Sequence, residues 1–69
     1  MRGTVVAFDE HAGLGTIQSE DSLEFLFHCT RLVDGSRRIE VGVEVRFEVV
    51  AGHLGKWEAA GIETVAVRP

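Results

Sequence analysis

The chain has 69 residues, enough for one small domain, and its 45% apolar and 26% charged content is typical of a folded chain rather than a disordered one. A single cysteine, Cys29, excludes an internal disulfide framework and predicts a reducing compartment, the cytoplasm. The formal charge of −4 argues against strong nucleic-acid binding, although a local basic patch remains compatible with it.

Residues 3–8 are rich in β-branched side chains and predict a first strand. The apolar run at this end is too short for a signal peptide or a membrane span. A turn leads to a second predicted strand over residues 15–19. Between them lies Gly13-Leu14-Gly15, which lacks the third glycine, the lysine and the following helix of a phosphate-binding loop. The sequence therefore predicts a β-hairpin at this point.

A polar turn over residues 20–22 precedes a third predicted strand, residues 24–28. Within this strand Phe25 and Phe27 share one side, and Leu26 and His28 share the other. The following residues, 29–32, predict one helical turn, and a loop containing Gly35 covers residues 33–38.

Residues 43–49 alternate apolar and charged side chains, which predicts a half-buried antiparallel strand. A hairpin over residues 52–55 leads to a fifth strand over residues 58–67. The predicted fold class is all-β, a five-stranded antiparallel Greek-key barrel of the OB type, over one domain of residues 1–69. Periodicity alone leaves an SH3-like barrel as the alternative.

Four segments of the chain resemble the cold-shock domain family. They are GTVVAFDEHAGLGTI (residues 3–17), EFLFHCTRL (24–32), VGVEVRFEVVAG (41–52) and EAAGIETV (58–65). The resemblance runs from residue 2 to residue 65 without large gaps. It implies an OB barrel whose second and third strands, flanked by the first, stack aromatic rings on the bases of single-stranded DNA or RNA.

The chain departs from the family at this stacking surface. Where the family carries aromatic rings, the chain has Ala7, Leu14, Thr16, Leu26, Cys29 and Ser36, and the family's two lysines are replaced by Val6 and Ala12. Phe8 and His28 keep the family's residue. The positions expected to face inward remain apolar: Val5, Ile17, Phe25, Phe27, Val45, Phe47 and Ile62. We therefore predict a preserved scaffold with a depleted stacking surface.

The candidate nucleic-acid-binding residues combine the family positions with other rings and cations of the chain. They are His28, Phe8, Trp57, Lys56, Arg37, Arg38, Leu14, Thr16 and Leu26. Each also has a structural interpretation. Phe8 fits the edge of the core and Trp57 a cap over one end of the barrel, whereas the arginines fit a solvated loop that balances nearby acids.

The histidines and the cysteine do not predict a metal site. His28 and Cys29 are adjacent and would point to opposite sides of a strand, and His11 and His53 lie in separate turns. Cys29 is expected to be a small buried or semi-buried hydrophobic residue rather than a nucleophile. We therefore expect no cofactor, no metal and no enzymatic activity.

Two functions remain for a chain with these features. The first is cold-shock-like binding of single-stranded RNA or DNA, weakly or with an altered preference. The second is a repurposed barrel that contacts a protein or forms a homodimer through Leu14 and Leu26, since an apolar patch can mark an interface. No feature of the sequence predicts contact with a membrane.

Overall fold

The computed structural model describes residues 1–52 and 55–65, and this part of the chain contains five strands and one short 3-10 turn. The strands are β1 (Arg2–Asp9), β2 (Leu14–Ser19), β3 (Glu24–His28), β4 (Glu44–Ala51) and β5 (Trp57–Thr64), and the 3-10 turn covers Cys29–Arg31. The predicted strands match these bounds closely. The predicted continuation of β5 to residue 67 and the predicted hairpin over 52–55 fall partly outside the described residues.

The strands close into a barrel in the order β1-β2-β3-β5-β4, with β4 also paired to β1. This arrangement confirms the predicted all-β, five-stranded barrel of the OB type. One detail differs, because β3 and β5 pair in parallel through Leu26 and Glu58, whereas the other neighbours are antiparallel. A closed ring of five strands cannot alternate direction throughout, so one pair must be parallel.

The predicted inward positions form the core. All seven are buried: Val5, Ile17, Phe25, Phe27, Val45, Phe47 and Ile62. The rings of Phe25 and Phe47 meet at 5.6 Å between centroids with a tilt of 54°, a geometry that aromatic pairs favour. The alternation of apolar and polar residues along each strand therefore has the predicted effect, placing apolar side chains inside the barrel.

The β1–β2 hairpin depends on two glycines at which a side chain would not fit. Gly13 has a φ of 70°, a left-handed conformation, and a Cβ there would lie 2.9 Å from the Cys29 Sγ. A Cβ on Gly15 would meet the ring of Phe27 and the Ala7 carbonyl oxygen. These glycines allow the turn to close tightly and the Phe27 ring to lie directly beneath β2.

No helix in the described part of the chain is both long and apolar enough to cross a membrane.

Candidate nucleic-acid interface

The outward side of β2 and β3 forms one continuous surface. Their pairing places Leu14 opposite His28 and Thr16 opposite Leu26, and all four side chains lie on the outside of the barrel. β1 adds Ala7 opposite Thr16. We call these five residues the β2–β3 face. The structure thus brings together four of the predicted site residues.

Leu26 lies at the centre of this surface. It borders a shallow depression of about 260 Å³ toward β1, shared with Ala7, Phe8 and Leu14. It also borders a smaller one of about 140 Å³ toward β5, shared with Leu14, His28 and Glu58. The depression toward β1 is the more open of the two, so it suits a flat group laid against the sheet.

The β2–β3 face is apolar but offers few rings. Leu14 and Leu26 are 53% and 52% exposed. Phe8 is half-buried, and its ring stacks on the buried Phe27 ring at 6.0 Å with an interplanar angle of 11°. Phe8 therefore packs against the core, as the structural interpretation expects, while still lining the depression toward β1.

His28 is fixed at the end of β3 by its own hydrogen bonds. Its Nδ1 accepts from the Thr30 backbone N–H at 3.3 Å and lies 2.9 Å from Thr30 Oγ1, and it caps the 3-10 turn. A neutral ring that accepts at Nδ1 carries its proton on Nε2. His28 can therefore present an N–H donor at the edge of the face.

Trp57 and Lys56 lie on the other side of Leu26 from β2. They share a groove of about 400 Å³ with Leu23, Glu24 and Leu26. Trp57 is 61% exposed, so its indole does not close the end of the barrel in the way that a cap would. Both predicted residues thus adjoin the β2–β3 face instead of lying apart from it.

The two predicted loop arginines are placed differently. Arg38 forms an ion pair with Glu10, and both side chains are exposed. Arg37 is exposed with a φ of 59°, and neither arginine lines the depressions around Leu26. The ion pair partly neutralises Arg38. Among the described residues, Lys56 is instead the cation that lines a groove or depression around Leu26.

Cys29 is buried behind the β1–β2 turn, as predicted. Its backbone N–H donates to the Gly13 carbonyl oxygen at 2.7 Å. Among the described residues, no three His, Cys, Asp or Glu side chains are grouped to hold a metal ion. His53, named in the sequence analysis, lies outside the described residues.

Sequence reasoning missed three residues that border this surface. Leu23 and Glu24 line the groove beside Trp57, and Glu58 lies beside Leu26 through the parallel bridge. An exposed Leu23 at the start of a strand was the available signal. Glu58 gave no local signal, since its neighbour Leu26 is far away in the sequence.

This combination defines a class of protein: an OB-type barrel with an exposed, shallow and largely apolar surface on β2 and β3. A family model described as the 'Cold-shock' DNA-binding domain matches residues 1–65. The chain therefore belongs to the cold-shock domain family, whose domain is a nucleic-acid-binding OB fold. The resemblance noted in the sequence is confirmed.

A solved structure with a similar fold is the Drosophila Unr CSD456 structure. The two share 26% sequence identity with a TM-score of 0.72, over 94% of this chain and 26% of that one. The chain thus spans about a quarter of the length of that relative. No curated protein matches the chain.

Proposed function

We propose that the chain binds single-stranded RNA or DNA through the β2–β3 face, weakly and with an altered base preference. The supporting observation is the side-by-side arrangement of Leu14, Thr16, Leu26 and His28 at the surface that a cold-shock domain uses, with open depressions on both sides of Leu26. An extended single-stranded nucleic acid can lie flat across such a surface.

The expected weakness follows from the side chains at this surface. Base–aromatic stacking contributes roughly 1–3 kcal/mol per base, and about 1.4 kcal/mol corresponds to a tenfold change in affinity. Aliphatic Leu14 and Leu26 still bury apolar area against a base but lack the ring geometry of stacking. Replacing several rings therefore lowers affinity by orders of magnitude relative to a fully aromatic surface.

Phosphate contacts should contribute little. Lys56 is the cation among the described residues that lines the groove and depressions around Leu26, and Glu24 and Glu58 lie nearby. Each neutralised phosphate steepens the salt dependence of binding by about 0.7 in log–log slope for a single strand. One phosphate contact through Lys56 gives an expected slope of about 0.7 by the same relation, which is shallow for a nucleic-acid-binding domain.

The test is a titration of Trp57 fluorescence with short mixed-sequence DNA and RNA strands at low and raised salt. Leu26→Glu, which places a carboxylate at the centre of the face, should abolish binding. Val33→Glu is the matched control, because Val33 is also an exposed aliphatic residue but lines none of the depressions around Leu26. Absence of any change, both in Trp57 fluorescence and in the anisotropy of a labelled strand, up to high micromolar strand would refute the proposal.

A second candidate function is a protein interaction, including self-association, through the same apolar residues. The observation that favours it is the adjacent exposure of Leu14 and Leu26, each more than half accessible. Light scattering of the wild type and of Leu26→Glu distinguishes the two functions. A wild-type dimer that Leu26→Glu dissociates would support self-association, and a monomer in both would count against it.

We also propose that residues 1–69 form one domain, that it works in the cytoplasm and that it has no enzymatic activity. Supporting the location, the only cysteine is a free thiol, and domains of this size without disulfides are typical of reducing compartments. Limited proteolysis of the folded chain tests the domain bounds, since cleavage should be confined to exposed turns.

A further inference from the structure

We propose that the groove beside Trp57 is a base-binding site that stacks one nucleobase on the indole and prefers bases with an exocyclic amino group. This inference rests on the function proposed above. The groove lies between β3 and the start of β5, and its walls are Leu23, Glu24, Phe25, Leu26, Lys56 and Trp57. We call it the Trp57 groove.

Trp57 is the one exposed ring among the four phenylalanines and single tryptophan of the chain, all of which are described. Phe25, Phe27 and Phe47 are buried, and Phe8 is half-buried against Phe27. For a single-stranded nucleic acid bound across this protein, Trp57 is therefore the most accessible ring for base stacking. Every base has a flat face, so an exposed indole binds single strands by stacking.

The Trp57 groove is continuous with the β2–β3 face. Leu26 lines the groove and both depressions on the face, so one side chain joins all three. The parallel bridge between Leu26 and Glu58 sets the start of β5 directly beside β3. A single-stranded nucleic acid that lies over Leu26 can thus reach Trp57 without leaving the protein surface.

The polar groups of the groove point to a base preference. Lys56 supplies an ammonium group for a phosphate, and Glu24 supplies a carboxylate, which accepts hydrogen bonds and donates none when ionised. In the described part of the chain neither side chain forms an ion pair, so both are available to a ligand.

Cytosine presents an N4 amino donor where thymine and uracil present the O4 acceptor. A carboxylate that faces position 4 of a stacked pyrimidine therefore accepts a hydrogen bond from cytosine and repels the O4 of thymine or uracil, whose N3–H donor lies at the neighbouring ring position. It likewise accepts from the amino groups of adenine and guanine. Cytosine and thymine are similar in size and stack with similar area, so a difference in affinity between the two reports on this hydrogen bond.

The experiment compares oligo(dC) and oligo(dT) strands of equal length near neutral pH. Two signals are measured, the intrinsic fluorescence of Trp57 and the anisotropy of a labelled strand. We expect oligo(dC) to quench Trp57 and to bind roughly threefold or more tightly than oligo(dT), since a hydrogen bond to a charged group is stronger than one between neutral groups but is partly offset here by solvent. Glu24→Gln should remove this preference, because an amide both donates and accepts.

Matched variants separate the groove from the rest of the surface. Trp57→Leu should weaken oligo(dC) binding, and Trp57→Phe, which keeps a ring, should retain most of it. Glu48→Gln removes the same charge from an exposed position on β4 and should leave the base preference unchanged. Thermal unfolding of each variant verifies that the barrel is intact.

Each contrary result has a distinct meaning. Equal binding of the two strands, or a preference that survives Glu24→Gln, overturns the assigned specificity. Oligo(dC) binding that neither quenches Trp57 nor weakens in Trp57→Leu overturns the groove but leaves the proposed function standing. Absence of anisotropy change with every strand overturns both.

Discussion

The inner and outer sides of β3 differ in whether they carry aromatic residues at the positions where the family has them. On the inner side Phe25 and Phe27 are buried aromatic rings, and Phe25 contacts Phe47 across the barrel. On the outer side Leu26 stands where the family has a ring. One five-residue strand thus carries aromatic side chains toward the core and an aliphatic side chain at the proposed stacking surface. We therefore expect stability and the proposed binding to be separable, because alternate residues of the strand face opposite environments.

The largest expected effect is a loss of stability from a substitution on the inner side of β3. Phe27→Ala removes the largest fully buried side chain, and such truncations destabilise by about 3–5 kcal/mol. A domain of this length has only about 3–10 kcal/mol of stability in total. We expect the variant to be largely unfolded in urea or thermal melts. Leu26→Ala should change stability by less than about 0.5 kcal/mol, and equal effects of the two would contradict the comparison.

Introducing a ring on the outer side of β3 should raise the affinity for single-stranded nucleic acid without changing stability. Leu26→Phe places a phenyl group at the centre of the β2–β3 face, and stacking on one base should add roughly 1–3 kcal/mol of binding free energy. Affinity for single strands, measured by anisotropy, is expected to rise about tenfold with little change in stability.

The control is Leu26→Met, which conserves volume without a ring. If methionine strengthened binding as much as phenylalanine, apolar area rather than ring geometry would limit affinity at this surface.

Substitutions at two neighbouring residues of β2 test whether the core side of the sheet is more sensitive to change than the outward side. Gly15→Ala introduces a Cβ against the Phe27 ring and the Ala7 carbonyl oxygen, and such overpacking destabilises by about 1–3 kcal/mol. The neighbouring Thr16→Ala, on the outward side, should unfold at nearly the wild-type temperature. A wild-type melting temperature for Gly15→Ala would mean that the Phe27 ring moves aside freely.

The smallest expected effect lies in the loop between β3 and β4. The Ser36 backbone N–H donates to Asp34 Oδ1 at 2.9 Å, and this hydrogen bond, with one from the Ser36 side chain, holds the pKa of Asp34 below its ordinary value of 3.8. A depressed pKa contributes stability above the unfolded-state pKa, and that contribution is lost as pH falls through the folded-state pKa. Because Asp34 is exposed, solvent screens this contribution and keeps it small.

Unfolding curves of the wild type and of Asp34→Asn over the acid range measure this contribution. The wild type should lose slightly more stability than the variant as the pH falls. Parallel pH profiles would show that the loop contributes nothing to acid sensitivity.

Much of this protein was determined by the sequence alone. Period-2 alternation fixed which side chains face the core, because successive residues of a strand point to opposite sides wherever the strand is placed. The tight β1–β2 turn follows from Gly13, and the loss of rings at Leu14 and Leu26 could be read from the residues by comparison with the family. Local chemistry was sufficient for the strand faces and the turn, whereas the missing rings were implied by the resemblance to the family.

Only the tertiary structure decided how distant segments meet. Closure of five strands requires one parallel pair, and its position between β3 and β5 brings Trp57, Lys56 and Glu58 beside Leu26. The ion pair of Arg38 with Glu10 likewise joins two loops separated in sequence. Such contacts depend on the path of the whole chain, and no local pattern of residues encodes that path.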